Sequence, residues 1–143
     1  MAQTIEQALR DATFYSDDHL YCLVKLSTKG VTAAAGVIAE AGNPFSALLL
    51  DKDEITLVLE EEDFEQFKKR LLGHEVGTIR YRLITFDVVL EPSLVGFMAH
   101  ISSALAAHQI SLMPFAAYSR DHILVTDADF ERALTVLNNL KRP

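Results

Sequence analysis

Apolar positions along the chain switch repeatedly between a helical spacing and short continuous or alternating runs, and the switches mark out the elements. Ile5 and Leu9 share one helical face behind Thr4 and Gln7, a T-x-x-Q capping box, so residues 4–12 are predicted to open the chain as a helix. Asp17-Asp18 breaks that pattern. Residues 21–26 read as a strand, Ser27-Thr28-Lys29-Gly30 as a loop, and the alanine-rich stretch 31–41 as a helix closed by Gly42-Asn43-Pro44. Two apolar runs, 45–50 and 55–59, flank the charged turn Asp51-Lys52-Asp53-Glu54 and are expected to be paired strands. A helix follows with Glu61, Glu62 and Asp63 in its first turn, Phe64, Phe67 and Leu71 on its buried face, and Gly73 at its end.

The second half repeats this order. Residues 81–90 form a long predicted strand, and Glu91-Pro92-Ser93 a loop whose proline stops pairing. Leu94, Phe97, Met98, Ile101 and Leu105 line one face of an amphipathic helix. Strands are expected over 110–118 and 122–125 around the turn Ser119-Arg120-Asp121. Thr126 or Asp127 then caps a helix whose apolar face is Phe130, Ala133, Leu134 and Leu137.

The halves can be laid over one another. Glu61-Glu62-Asp63-Phe64-Glu65 matches Asp127-Ala128-Asp129-Phe130-Glu131 at an offset of 66, and Ile38-Ala39-Glu40-Ala41 matches Leu105-Ala106-Ala107-His108 at 67. A βαββα order recurring at a nearly fixed offset predicts a duplicated unit. The short charged turns require hairpins, which excludes a doubly wound parallel sheet. The expected class is α+β: two tandem ferredoxin-like modules with helices on one face of antiparallel sheets. The expected division is an N-terminal helix and lead-in over 1–19, a first module over 20–73, a linker over 74–80 and a second module over 81–143.

Composition narrows the function. The 143 residues are 50% apolar and 23% charged, which suits an ordinary globular core. A formal charge of −7 disfavours nucleic acid and anionic membrane surfaces, because phosphate binding depends on clustered Lys and Arg. The one dense basic stretch, Lys68-Lys69-Arg70, ends a predicted helix, where cations complement the dipole. No apolar stretch approaches the roughly 20 residues of a membrane span, and no basic start precedes an apolar run at the N-terminus. With Cys22 the single cysteine, a cytoplasmic location is expected, and a packed core thiol rather than a nucleophile. The five histidines lack metal-ligand spacing, and neither a G-x-S-x-G elbow nor a phosphate-binding glycine loop occurs. Neither a catalytic residue nor a metal or cofactor site is therefore expected.

The stretch Tyr81-Arg82-Leu83-Ile84-Thr85-Phe86-Asp87, then Leu94-Val95-Gly96-Phe97, then Tyr118-Ser119-Arg120-Asp121-His122-Ile123-Leu124-Val125 resembles the ACT-domain superfamily. In particular it is similar to stand-alone bacterial proteins with two ACT-like units and to the related arginine-sensing CASTOR proteins, as is the opening Ile5-Glu6-Gln7-Ala8-Leu9-Arg10-Asp11. The likeness is strong over 81–137 and weak over 20–72. It implies modules that pair side by side and a small-molecule ligand such as an amino acid at a module interface; unpaired sheet edges separately lead to an expected homodimer. The ligand-contacting positions it implies are Leu94, Val95 and Gly96 in the loop before the helix, and Ala117, Tyr118 and Asp121 at the strand-to-strand turn. Ala117 departs from the arginine sensors, which carry a hydroxyl-bearing residue there.

These residues make chemical sense as a zwitterion site. Backbone N–H groups at the helix start near Val95-Gly96 can hold a carboxylate, Asp121 an ammonium, and Tyr118 can supply a wall. The same residues also have a plain structural reading: Asp121 shaping the hairpin, Gly96 permitting close packing, Tyr118 in the core. Glu91 beside the loop would repel an anion unless it points away. The expected function is a regulatory, ligand-sensing protein, and the alternative a protein-interaction module without a ligand.

Overall fold

The computed structural model describes residues 2–42 and 44–142. In chain order the elements are α1 (Ile5–Asp11), β1 (Thr13–Tyr15), β2 (Tyr21–Leu26), α2 (Val31–Ala41), β3 (Ala47–Leu50), β4 (Ile55–Glu60), α3 (Glu61–Phe67), β5 (Glu75–Val76), β6 (Tyr81–Asp87), α4 (Phe97–Ala107), β7 (Met113–Ala116), β8 (Asp121–Thr126) and α5 (Phe130–Leu140). They fall into two compact units. One is His19–Tyr81; the other joins the N-terminal segment up to Asp18 to the chain from Arg82 onward.

In the unit His19–Tyr81, β2 pairs antiparallel with β4 in the register Cys22↔Leu59, Val24↔Leu57 and Leu26↔Ile55. Paired residues share a face, so these six side chains form one apolar sheet surface, which packs with Ala34 and Val37 of α2 and Phe64 of α3. β3 adds beyond β4, and β5 pairs with β2 through Val24↔Val76. Residues 74–80, expected as a linker, thus include a short strand. Cys22 lies fully buried, and burial raises its thiol pKa to about 11, so it packs as an unreactive hydrophobe. Gly42 ends α2 with φ +65° and its N–H on the Ile38 carbonyl; Asn43, expected beside it, lies outside the described residues.

In the other unit β6 has β8 on one side and β1 on the other, with β1 in the register Thr13↔Asp87, Phe14↔Phe86 and Tyr15↔Thr85, while β7 pairs with β8. Phe86 is the centre of the core, edge-on to Phe14 and to Phe97, both at 5.5 Å between centroids. Ile101, Leu105, Phe130 and Leu137 close over it from α4 and α5. Ala8 and Leu9 of α1 are buried in the same core, and the reciprocal Thr4–Gln7 capping box starts α1 as expected (3.1 and 2.9 Å).

Both units have the ferredoxin-like strand order 4-1-3-2: β5-β2-β4-β3 and β1-β6-β8-β7. In the first, the fourth strand follows the second helix. In the second it comes from the chain's start, so the segment expected as a lead-in completes that sheet.

The duplication is more regular than the sequence match suggests. α2 and α4, β3 and β7, and β4 and β8 each begin 66 residues apart, whereas β2 and β6 begin 60 apart. The inserted length therefore sits between the first strand and first helix of the second repeat. Residues 27–30 make that connection in the first repeat, and residues 88–96 in the second.

Candidate ligand site

The longer connection, residues 88–96, builds the site. It leaves β6 at Asp87, where the sequence had predicted strand to 90, because the Val88 N–H turns back onto the Phe86 carbonyl (2.9 Å). The Leu90 N–H donates to the Ser119 carbonyl at 2.8 Å, fastening the connection to the β7–β8 hairpin turn. Gln3 fastens it from outside: its N–H reaches Glu91 Oε2 (3.0 Å), its side-chain amide reaches the Val89 carbonyl (3.0 Å), and its Oε1 accepts from the Glu91 N–H (2.9 Å).

Gly96 ends the connection with φ +91°, a conformation that suits glycine. This left-handed residue places the start of α4 at Phe97, later than Leu94. The first intrahelical bond runs from the His100 N–H to the Gly96 carbonyl (2.9 Å), and glycine has no side chain to cap the N–H groups of Phe97, Met98 and Ala99. Those residues, the 88–96 connection and the hairpin turn surround a cleft of about 490 Å³.

Of the expected site residues, Leu94, Gly96, Ala117, Tyr118 and Asp121 line this cleft. Val95 does not; it is 86% exposed. Tyr118 is fully exposed at the rim, which removes the core reading of its ring. Asp121 is half-buried and is the first residue of β8, opposite Ala116 across the ladder, rather than part of the turn. The turn is closed instead by the Ala117 N–H on the Arg120 carbonyl (2.9 Å). Leu90, Met98, Ala99 and Ala116 also line the cleft. Sequence reasoning passed over them, although the greater length of the second repeat's connection was there to point at the first.

Asp121 is electrostatically unusual. Arg120, its neighbour in sequence, donates to Asp87 Oδ1 at 2.8 Å, and no side chain among the described residues hydrogen-bonds or ion-pairs with the Asp121 carboxylate. Desolvation raises its pKa above the ordinary carboxylate value, opposed by His122. His122, whose Nδ1 lies 2.7 Å from Thr85 Oγ1, is held below its ordinary pKa chiefly by burial. Glu91 has its carboxylate on the Gln3 N–H, so the anion beside the loop is already engaged. At the 66-residue offset, Asp121 corresponds to Ile55, which is completely buried. One repeat thus has a core isoleucine where the other turns a carboxylate to a cleft. No cluster of three His, Cys, Asp or Glu residues among those described could hold a metal.

Residues 78–139 match the ACT-domain family. The ACT match spans β6, the 88–96 connection, α4, the hairpin and nearly all of α5, and so contains every candidate residue. No curated protein matches the chain. Among solved structures, a Vibrio cholerae protein of unknown function described as a possible transport protein is similar over 97% of both chains, with 27% identity and a TM-score of 0.73. The regulatory subunit of aspartate kinase from Thermus thermophilus is similar over 90% of this chain and 97% of its own, with 16% identity and a TM-score of 0.63. An Agrobacterium tumefaciens protein is similar over 86% and 84%, with 18% identity and a TM-score of 0.67. At such identities the last two establish the α+β, ACT-like fold alone.

Proposed function

We propose that this protein is a non-catalytic regulatory module that binds a small zwitterion, an amino acid, in the cleft before α4. The observation that carries the reading is the pairing, in one cleft, of a helix start without a side-chain cap and a carboxylate without a cation. The N–H groups of Phe97, Met98 and Ala99, aided by the helix dipole, hold the ligand carboxylate, and Asp121 holds its ammonium. The ACT match over 78–139 and the fold shared with a regulatory subunit of aspartate kinase support a regulatory role. The bacterial tandem ACT-like proteins and the CASTOR sensors are the relatives this reading favours. No helix among the described residues is long and apolar enough to cross a membrane.

Calorimetry of the purified chain against the common amino acids tests the reading. The expected result is saturable binding that Asp121→Ala removes while the unfolding midpoint stays within a few degrees. Binding left intact in that variant would return Asp121 to a structural role.

A second reading, self-association, rests on β3. Its Leu49 and Leu50 are 58% and 51% exposed, and β3 pairs on one side with β4. Light scattering is expected to give a dimer that Leu49→Lys weakens, and a wild-type monomer at high concentration would remove this reading.

A further inference from the structure

Resting on the amino-acid reading of the cleft, we infer that the site selects a ligand whose side chain is uncharged and apolar, of the leucine and methionine kind. The free charges in the cleft limit what the ligand's side chain can carry. An amino acid brings one carboxylate and one ammonium, and the helix start and Asp121 are one partner for each. A ligand with a cationic side chain needs a second carboxylate. The other acidic residue lining the cleft is Glu91, and its carboxylate is held by the Gln3 N–H at 3.0 Å. A ligand with an acidic side chain needs a cation. No Lys, Arg or His lines the cleft, and Arg120 is committed to Asp87.

What remains for the side chain is apolar: Leu90, Leu94, Met98, Ala99 and Ala116. A charged group laid against these atoms would lose hydration and gain no partner, whereas an aliphatic one removes apolar surface from water on both sides. Met98 adds a deformable thioether, suited to branched and unbranched chains of similar volume. Ala117 fits the same picture, for its methyl gives a polar side chain nothing to hydrogen-bond.

The test is isothermal titration of the full chain with L-leucine, L-methionine, L-isoleucine, L-arginine, L-lysine, L-aspartate and L-serine under one set of conditions. Burial of a side chain of four non-hydrogen atoms corresponds to leucine or methionine binding roughly 10-fold or more tighter than the charged amino acids. Arginine, lysine or aspartate binding as tightly as leucine overturns the apolar class and leaves the amino-acid site standing. If none of the seven binds, the site reading itself fails. Ala117→Glu, at an exposed turn position, introduces a second carboxylate and is expected to move the leucine-to-arginine ratio several-fold toward arginine. An unchanged ratio in a folded variant places the ligand side chain elsewhere and overturns the inference.

Discussion

Arg120 Nε donates to Asp87 Oδ1 at 2.8 Å, so the guanidinium next to Asp121 in sequence neutralises a carboxylate outside the cleft. On the proposed reading of the cleft, the pair keeps Asp121 open to an incoming ammonium. Asp87→Asn is therefore expected to weaken ligand binding without altering any residue that lines the cleft, because the released guanidinium becomes a competing cation for Asp121. The half-exposed pair contributes little to stability, within ~1 kcal/mol. Titration calorimetry is expected to show a several-fold weaker Kd with an almost unchanged urea midpoint. An unchanged affinity would mean that Arg120 cannot reach Asp121.

The raised pKa of Asp121 gives a sign to the pH dependence. A carboxyl whose pKa is higher folded than unfolded contributes stability that is fully present below the unfolded value, about 3.9, and is lost as pH rises through the folded value. At neutral pH the charged group is thus a mild liability, and Asp121→Asn should leave stability equal or slightly higher. Ligand binding reverses the balance. An ammonium beside Asp121 favours the charged form, so affinity is expected to fall as pH drops toward the carboxyl's raised value, with protons released on binding in that range. Calorimetry in two buffers of different ionisation enthalpy reads this release directly. The Asp121→Asn variant should show neither the release nor more than about a tenth of the affinity.

The periodic segments were legible because local pattern and tertiary role agree. Residues 31–41 form a helix with those bounds, and 21–26 a strand with those bounds. The features missed are those that distant partners create. Thr13–Tyr15 is too short to carry a pattern and exists because β6 has an open edge for it. Leu94 has the right spacing for α4 but lies outside it, since Gly96 takes a left-handed conformation that periodicity does not record. Asp121 looked like a turn residue because aspartate is common in turns. Its place at the head of β8 mirrors Ile55 at the head of β4, and the 66-residue offset between the halves carries that correspondence.

Gln3 is expected to position the site without touching the ligand. Its three bonds to Val89 and Glu91 hold the 88–96 connection, and one of them keeps the Glu91 carboxylate occupied. Gln3→Ala removes the two side-chain bonds, for a stability loss of about 1–2 kcal/mol at these exposed positions. With the connection loosened, Glu91 is freer to approach the start of α4 and oppose a bound carboxylate. Affinity should fall several-fold, and the loss should shrink in Gln3→Ala/Glu91→Gln. If the double variant binds no better than Gln3→Ala, the effect belongs to loop order alone.

The sharpest contrast between the repeats lies in the matched positions Ile55 and Asp121. Ile55 is wholly buried at the head of β4, paired with Leu26 and packed in the core of its unit. Ile55→Asp places a carboxylate there without a partner and should cost about 4 kcal/mol or more in urea denaturation. The reverse change, Asp121→Ile, removes a partly desolvated charge from the edge of a cleft and is expected to keep stability within ~1 kcal/mol while abolishing ligand binding. If Asp121→Ile destabilised the fold as strongly as Ile55→Asp, both residues would be structural and the second repeat would have no functional specialisation at this position. The predicted asymmetry, one substitution unfolding its unit and the other silencing it, is what a duplicated domain should show when one copy keeps the core and the other opens it to a ligand.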